Sequence, residues 1–214
     1  MSNRSIHTLL KNWDEECPLT REEAVEVLSL PEEEMDSLME CAYALRTKYK
    51  GKKVSVQLLT NVRSGNCTQN CAYCAQSKDS QAEIEKYKRV SDEKLYGDND
   101  LVDEKHLARH CIGLSGIGFS DEEIEDLADR IREMKKKDTQ ICCSIGFLTE
   151  KQARILKDAG LDRINHNLNS SRSFYPEICT THTYDQRVNN IKMLQSLGFE
   201  ICSGGIVGMG ESKE

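Results

Sequence analysis

Beyond Lys50, short apolar runs with strand character take turns with helix-length segments that carry their own start and stop signals. The strand candidates are residues 54–59, 111–115, 140–146, 163–168 and 200–207. Between them, Ser120 with Glu123 and Thr149 with Gln152 read as capping boxes, each pairing two side chains with free N–H groups of an opening helical turn. Gly160 and Gly198 stand where a helix ends on a left-handed residue. Residues 92–107 form a weaker helix that Gly97-Asp98-Asn99-Asp100 is expected to interrupt. Strands and helices alternating in this way predict right-handed βα units on a parallel sheet. An eight-stranded barrel takes about 250 residues, so five units predict an α/β fold cut short: a partial TIM-type (βα) barrel. Ahead of it, Thr20 with Glu23 caps one helix, and Pro31-Glu32-Glu33-Glu34 opens a second with Met35, Leu38, Met39, Ala42 and Leu45 on one stripe. The expected organisation is therefore an N-terminal helical extension, 1–50, and a barrel core, 51–214, incomplete at its C-terminal side.

Composition narrows the function. The formal charge of −7 disfavours a nucleic-acid-binding face, which needs clustered Lys and Arg, and Lys135-Lys136-Lys137 reads as a solvated helix end. No run approaches the roughly 20 apolar residues of a membrane helix, and the N-terminus lacks a secretory apolar core. A cytoplasmic location is expected. Ten cysteines in such a chain point to metal binding or catalysis rather than to disulfides.

After the first strand comes Cys67-Thr68-Gln69-Asn70-Cys71-Ala72-Tyr73-Cys74, a C-x3-C-x2-C cluster. A zinc site would want a fourth ligand nearby, and His106 lies 32 positions beyond Cys74, in an expected helix. Three thiolates without a fourth suit a cubane iron–sulfur cluster that leaves one iron open. Strand periodicity adds a second group, because alternate residues face a barrel's lumen. Apolar Ile141, Cys143 and Ile145 turn Cys142, Ser144 and Gly146 inward. Ile164, His166 and Leu168 turn Asn165, Asn167 and Asn169 inward, Ile112 and Leu114 leave Cys111 and Ser115 there, and Phe199 with Ile201 does the same for Cys202. Burying these thiols and amides in a lumen is costly unless they contact something. Cys17, Cys41, Cys143 and Cys179 match no motif and read as packing thiols.

The triplet, with Tyr73 before its last cysteine, resembles the signature of the radical S-adenosylmethionine (SAM) superfamily. The resemblance implies a [4Fe–4S] cluster on Cys67, Cys71 and Cys74, SAM on the open iron, and Tyr73 near the adenine. Asn165-His166-Asn167-Leu168, Thr180-Thr181-His182-Thr183-Tyr184, Gln186-Arg187 and the run from Cys202 to Glu211 resemble the biotin synthase family. That resemblance runs from about Leu19 to the C-terminus. It implies conversion of dethiobiotin to biotin, with a [2Fe–2S] sulfur donor on Cys111, Cys142 and Cys202. It further implies Asn165 and Asn167 on the substrate's ureido ring, Asn167 also on the SAM ribose, Arg187 on the SAM carboxylate, and Gly204, Gly205 and Ile206 beside the adenine. A flavodoxin- or ferredoxin-type electron donor and a homodimer follow from the same likeness.

Departures accompany it. The family's later strands, with an arginine ligand of the second cluster, have no counterpart here. Asn169 stands where Asp is frequent, and Gly113-Leu114-Ser115-Gly116 replaces a run with tryptophan. The alternatives are another radical SAM enzyme, of methylornithine-synthase or hydrogenase-maturation type, or a non-catalytic metal-binding fragment.

Overall fold

In the computed structural model, which describes residues 19–213, the chain forms two units: residues 19–54 with 210–213, and residues 55–209. Cys17 lies outside the described residues. In the first unit, helix α1 (Arg21–Val27) starts on the expected box, with Thr20 Oγ1 accepting from the Glu23 N–H and the Glu23 carboxylate accepting from the Thr20 N–H. A 3₁₀ turn (Glu32–Glu34) follows Pro31 and leads into α2 (Met35–Lys50). The expected apolar stripe is half-buried at Met35, Leu38 and Leu45 and exposed at Met39 and Ala42.

The second unit runs β1 (Gln57–Arg63), α3 (Asp92–Glu104), β2 (Arg109–Leu114), α4 (Asp121–Met134), β3 (Ile141–Ser144), α5 (Glu150–Asp158), β4 (Arg163–Asn165), α6 (Tyr175–Ile178), α7 (Tyr184–Ser196) and β5 (Glu200–Cys202). All four pairings are parallel, in the spatial order β1-β2-β3-β4-β5. This is the expected α/β architecture, five parallel strands with helices packed on one face. Its core is Val62, Ile112, Cys143 and Ile164 from the strands against Leu95, Ile124, Leu127, Ile131, Leu156 and Leu194 from the helices. Cys143 is fully buried here, a packing thiol as its sequence position suggested.

The opposite face carries Gln57, Leu59, Cys111, Cys142, Ser144, Arg163, Asn165, Glu200 and Cys202, joined by registers that set Leu59 beside Cys111, Cys111 beside Cys142, and Asn165 beside Cys202. It is open: Leu59 is 68% exposed, and Cys202 is exposed.

Some sequence expectations shift. Helix α3 runs unbroken through Gly97 to Asp100, because Asp98 and Asn99 face inward and spend their side chains on tertiary partners. Asp98 accepts from Thr60 Oγ1 (2.6 Å) and Lys94 Nζ (2.6 Å), and Asn99 Nδ2 donates to the Met134 carbonyl (3.2 Å). His106 falls just past the helix, at φ 50°, as the left-handed residue that ends it. Strand β1 begins and ends later than expected, since its partner starts at Arg109 and leaves Val54 and Val56 exposed ahead of the ladder. Beyond Cys202 the fifth strand dissolves into a single bridge, Asn169 to Gly205. Lys135 is no solvated end: it is half-buried, bonding Asp162 (3.1 Å) and the Thr139 carbonyl (3.0 Å).

Candidate functional site

The triplet loop leaves β1 and is fixed at several points. Ser115 Oγ donates to the Gly65 carbonyl (2.6 Å), the Gly65 N–H to Gln76 Oε1 (2.7 Å), and the Lys78 N–H to the Gln69 carbonyl (2.9 Å). Asn70 stitches the loop to the segment after α6. Its Oδ1 accepts from the Thr180 and Thr181 N–H groups (3.1 and 3.3 Å), its Nδ2 donates to Thr180 Oγ1 (2.6 Å), and the Ala72 N–H donates to the Ile178 carbonyl (2.9 Å).

A cavity of about 230 Å³ at the C-terminal ends of the strands brings most of the sequence-derived residues together. Cys67, Cys71, Tyr73, Cys74, Asn165, Asn167 and Arg187 all line it, with His182 and the loop segments after β2 and β3. The β3 loop lies close because residue 146 has no side chain. A Cβ on Gly146 would sit 2.4 Å from the Ile117 carbonyl oxygen, where the Phe147 N–H bonds at 2.6 Å. Strand C-terminal ends are where parallel α/β folds place their ligands.

Within the cavity, Arg187 is held as a fork. Nε donates to Tyr175 Oη (2.6 Å), Nη1 to the Asn167 carbonyl (3.1 Å), and Nη2 meets His182 Nε2 (2.9 Å). Burial and the Arg187 cation push the His182 pKa down to about 4, so the ring is neutral near pH 7. The Tyr73 hydroxyl accepts from Asn169 Nδ2 (2.5 Å), and burial raises its pKa well above the ordinary range. Burial also pushes Cys71 up to about 11, helped by neighbouring Cys179.

The other three thiols share the open sheet face on β2, β3 and β5. Cys142 is buried and its pKa is pushed up to about 12, first by burial and then by Cys111 and Cys202. Cys111 is raised by burial too, and its Sγ donates to Gln57 Oε1 (2.9 Å). Gly204, Gly205 and Ile206 do not line the cavity but run beside its asparagines: Asn167 Oδ1 accepts from the Gly204 N–H (3.0 Å), and the Asn169 carbonyl from the Ile206 N–H (2.8 Å).

Cys179, expected as a packing thiol, is buried beside Cys71, Tyr175 and Ile178. Its Sγ lies 3.8 Å from Cys71 Sγ and 3.2 Å from His182 Nδ1, buried with both. The Cys179-x2-His182 spacing was the available signal; what it lacked was the fold, which supplies Cys71 from 108 residues away.

The donor set fits a cubane cluster. Three soft thiol ligands project from one eight-residue loop into one cavity, whose other polar lining includes amides, hydroxyls, two imidazoles and the Arg187 guanidinium.

The family model for the Radical SAM superfamily matches residues 61–214. The chain is 40% identical over 196 residues to the biotin synthase of Geobacillus kaustophilus (strain HTA426), covering 91% of this chain and 59% of that protein. With the biotin synthase of Bacillus subtilis (strain 168) it shares 41% over 197 residues, covering 92% and 59%. The chain thus spans about 59% of the length of these curated relatives. Among solved structures, methylornithine synthase superposes with a TM-score of 0.82 at 17% identity, covering 96% of this chain and 59% of that one. A maturase of the [FeFe]-hydrogenase gives 0.78 at 18%, covering 96% and 47%. At these identities the structural likeness shows the fold alone.

Proposed function

The chain belongs to the radical SAM superfamily, and we propose that it carries the cluster- and substrate-binding part of a site that inserts sulfur into dethiobiotin to give biotin. The observation that supports this most is the shared cavity: the triplet faces Asn165, Asn167 and Arg187 across it, and three further thiols share the adjoining sheet face. Cys67, Cys71 and Cys74 would hold the [4Fe–4S] cluster. Bound there, it supplies the electron that cleaves SAM and so starts hydrogen abstraction from the substrate.

The chain's own groups bind and orient. Arg187 can turn its planar fork to a SAM carboxylate while Tyr175 and the Asn167 carbonyl keep the guanidinium in place. Tyr73, tied to Asn169, offers its ring as a wall for adenine, with the backbone at Gly204, Gly205 and Ile206 along the asparagine side. Asn165 and Asn167 present donors and acceptors that match a neutral ureido group. Cys111, Cys142 and Cys202 would ligate a [2Fe–2S] sulfur donor. The raised pKa values of Cys111 and Cys142 mean that a metal, rather than the local field, must draw off those two protons. A flavodoxin- or ferredoxin-type reductant, a homodimer and the cytoplasm complete this reading.

Anaerobic reconstitution with iron and sulfide tests it, followed by assays for 5′-deoxyadenosine and biotin. Charge-transfer absorbance lost in Cys67→Ala or Cys74→Ala is expected; a fully loaded chain that binds no cluster overturns the reading. Dethiobiotin should accelerate SAM cleavage. If Cys111→Ala and Cys142→Ala leave iron content unchanged, a different radical SAM chemistry takes its place.

A further inference from the structure

We propose that Cys71, Cys179 and His182 form a second, mononuclear metal site, selective for a thiolate- and imidazole-binding divalent ion such as zinc, that competes with the triplet for Cys71. All three side chains are buried and their ligand atoms lie within 4.8 Å of one another. The spacing is that of ligands on one ion. Two sulfurs about 2.3 Å from a tetrahedral zinc stand about 3.8 Å apart, and a sulfur and an imidazole nitrogen about 3.5 Å apart. The Cys71 and Cys179 Sγ atoms are 3.8 Å apart, and Cys179 Sγ lies 3.2 and 3.7 Å from His182 Nδ1 and Nε2.

The surroundings can complete the coordination. Gln69 Oε1 sits 3.1 Å from His182 Nδ1, and Asn70 Oδ1 lies 3.5 Å from Cys179 Sγ, so an amide oxygen or a water can take the fourth position. Cys71 and His182 both line the cavity, which gives an ion its way in. The bonds from Asn70 to Thr180 and Thr181 fix the two halves of the site against each other. Binding requires the His182 ring to turn, since Cys179 Sγ lies 3.2 and 3.7 Å from its two nitrogens rather than along the Nδ1 lone pair, and Nδ1 to leave Gln69 Oε1. With Nδ1 on the ion, Nε2 carries the ring proton, so Arg187 must give up its 2.9 Å contact there while keeping Tyr175 and the Asn167 carbonyl. Two thiol protons leave to solvent as the ion binds.

The consequence for cluster assembly rests on the function proposed above: an ion here withholds one of the triplet's three thiolates. The ion-binding test does not depend on that reading. The full chain, stripped of metal by chelation and kept reduced, is titrated anaerobically with Co²⁺ as a spectroscopic stand-in for Zn²⁺. Expected is one equivalent with thiolate-to-cobalt charge-transfer absorbance and intense tetrahedral visible bands, displaced by Zn²⁺. Cys179→Ser and His182→Ala should each weaken binding at least tenfold. The double variant Cys67→Ser/Cys74→Ser should bind within about threefold of the parent, and this arm decides the matter even if Cys179→Ser fails to fold. Loss of cobalt binding in that double variant, or its survival in folded Cys179→Ser, assigns the ion to the triplet and overturns the proposal.

Discussion

Replacing Ile112 and Leu59 by alanine, one at a time, tests the division of the sheet into a helix-packed face and an open face, on which the placement of the strand thiols Cys111, Cys142, Cys143 and Cys202 depends. The two residues lie on neighbouring strands, Leu59 beside Cys111 and Ile112 one position further along. Ile112 is 0% exposed within the main core, whereas Leu59 is 68% exposed. Truncating a fully buried isoleucine removes its transfer free energy and leaves a cavity, about 2–5 kcal/mol together. Full burial of a leucine is worth about 1.5–3 kcal/mol, so one with a third of its surface covered stands to lose about 0.5–1 kcal/mol. Urea unfolding of the metal-free chain, followed by far-UV circular dichroism, reads the difference. With a slope of about 2 kcal/mol/M, Ile112→Ala should lower the midpoint by at least about 1 M and Leu59→Ala by no more than about 0.5 M, slopes unchanged. Equal losses would mean that the Leu59 face is covered in solution, and the argument that Cys111 and Cys202 look onto accessible space would fail with it.

Three further outcomes are expected. Arg187→Lys keeps the charge but loses the planar fork held by Tyr175 and Asn167, and should weaken SAM binding to the reconstituted protein about tenfold or more by equilibrium dialysis. Gly146→Ala places a Cβ 2.4 Å from the Ile117 carbonyl oxygen, so the loops after β2 and β3 must part; a loss of about 2 kcal/mol or more in urea unfolding should accompany weaker SAM binding. His182 has a folded pKa of about 4 against an ordinary 6.5, so on acidification the unfolded chain takes up its proton first. The stability this residue carries should therefore be present above about pH 6.5 and lost as the pH falls toward 4, and His182→Gln should flatten that pH dependence by about one proton.

What the sequence made legible were features whose physics is local. Capping boxes at Thr20, Ser120 and Thr149 need only two side chains three residues apart, and all three form as read. The period of two along a strand placed Cys143 in the core and Cys142 on the opposite face without knowledge of the partner strands. The misreadings share the opposite character. Gly97-Asp98-Asn99-Asp100 has the composition of a turn, but its polar side chains are claimed by Thr60, Lys94 and Met134, and such tertiary bonds override weak local helix propensity. Residues 203–207 read as a continuation of the fifth strand, yet the ladder ends at Cys202, and register with β4 decides that.

Cys179 is the sharpest case. The Cys179-x2-His182 spacing alone does not distinguish a packing thiol from a ligand, because Cys71 is brought to it by Asn70, whose amide ties together two loops 110 residues apart in sequence. If Asn70 is what aligns the cluster, then Asn70→Ala should leave the core-dependent unfolding free energy, read from urea denaturation, within about 1–2 kcal/mol of the parent. It should nevertheless weaken cobalt binding at Cys71, Cys179 and His182 as strongly as loss of a ligand does. An unchanged cobalt affinity in Asn70→Ala would show that the loops find each other without it, and that the packing of Tyr175 and Ile178 against Cys71 is enough to hold the thiols together.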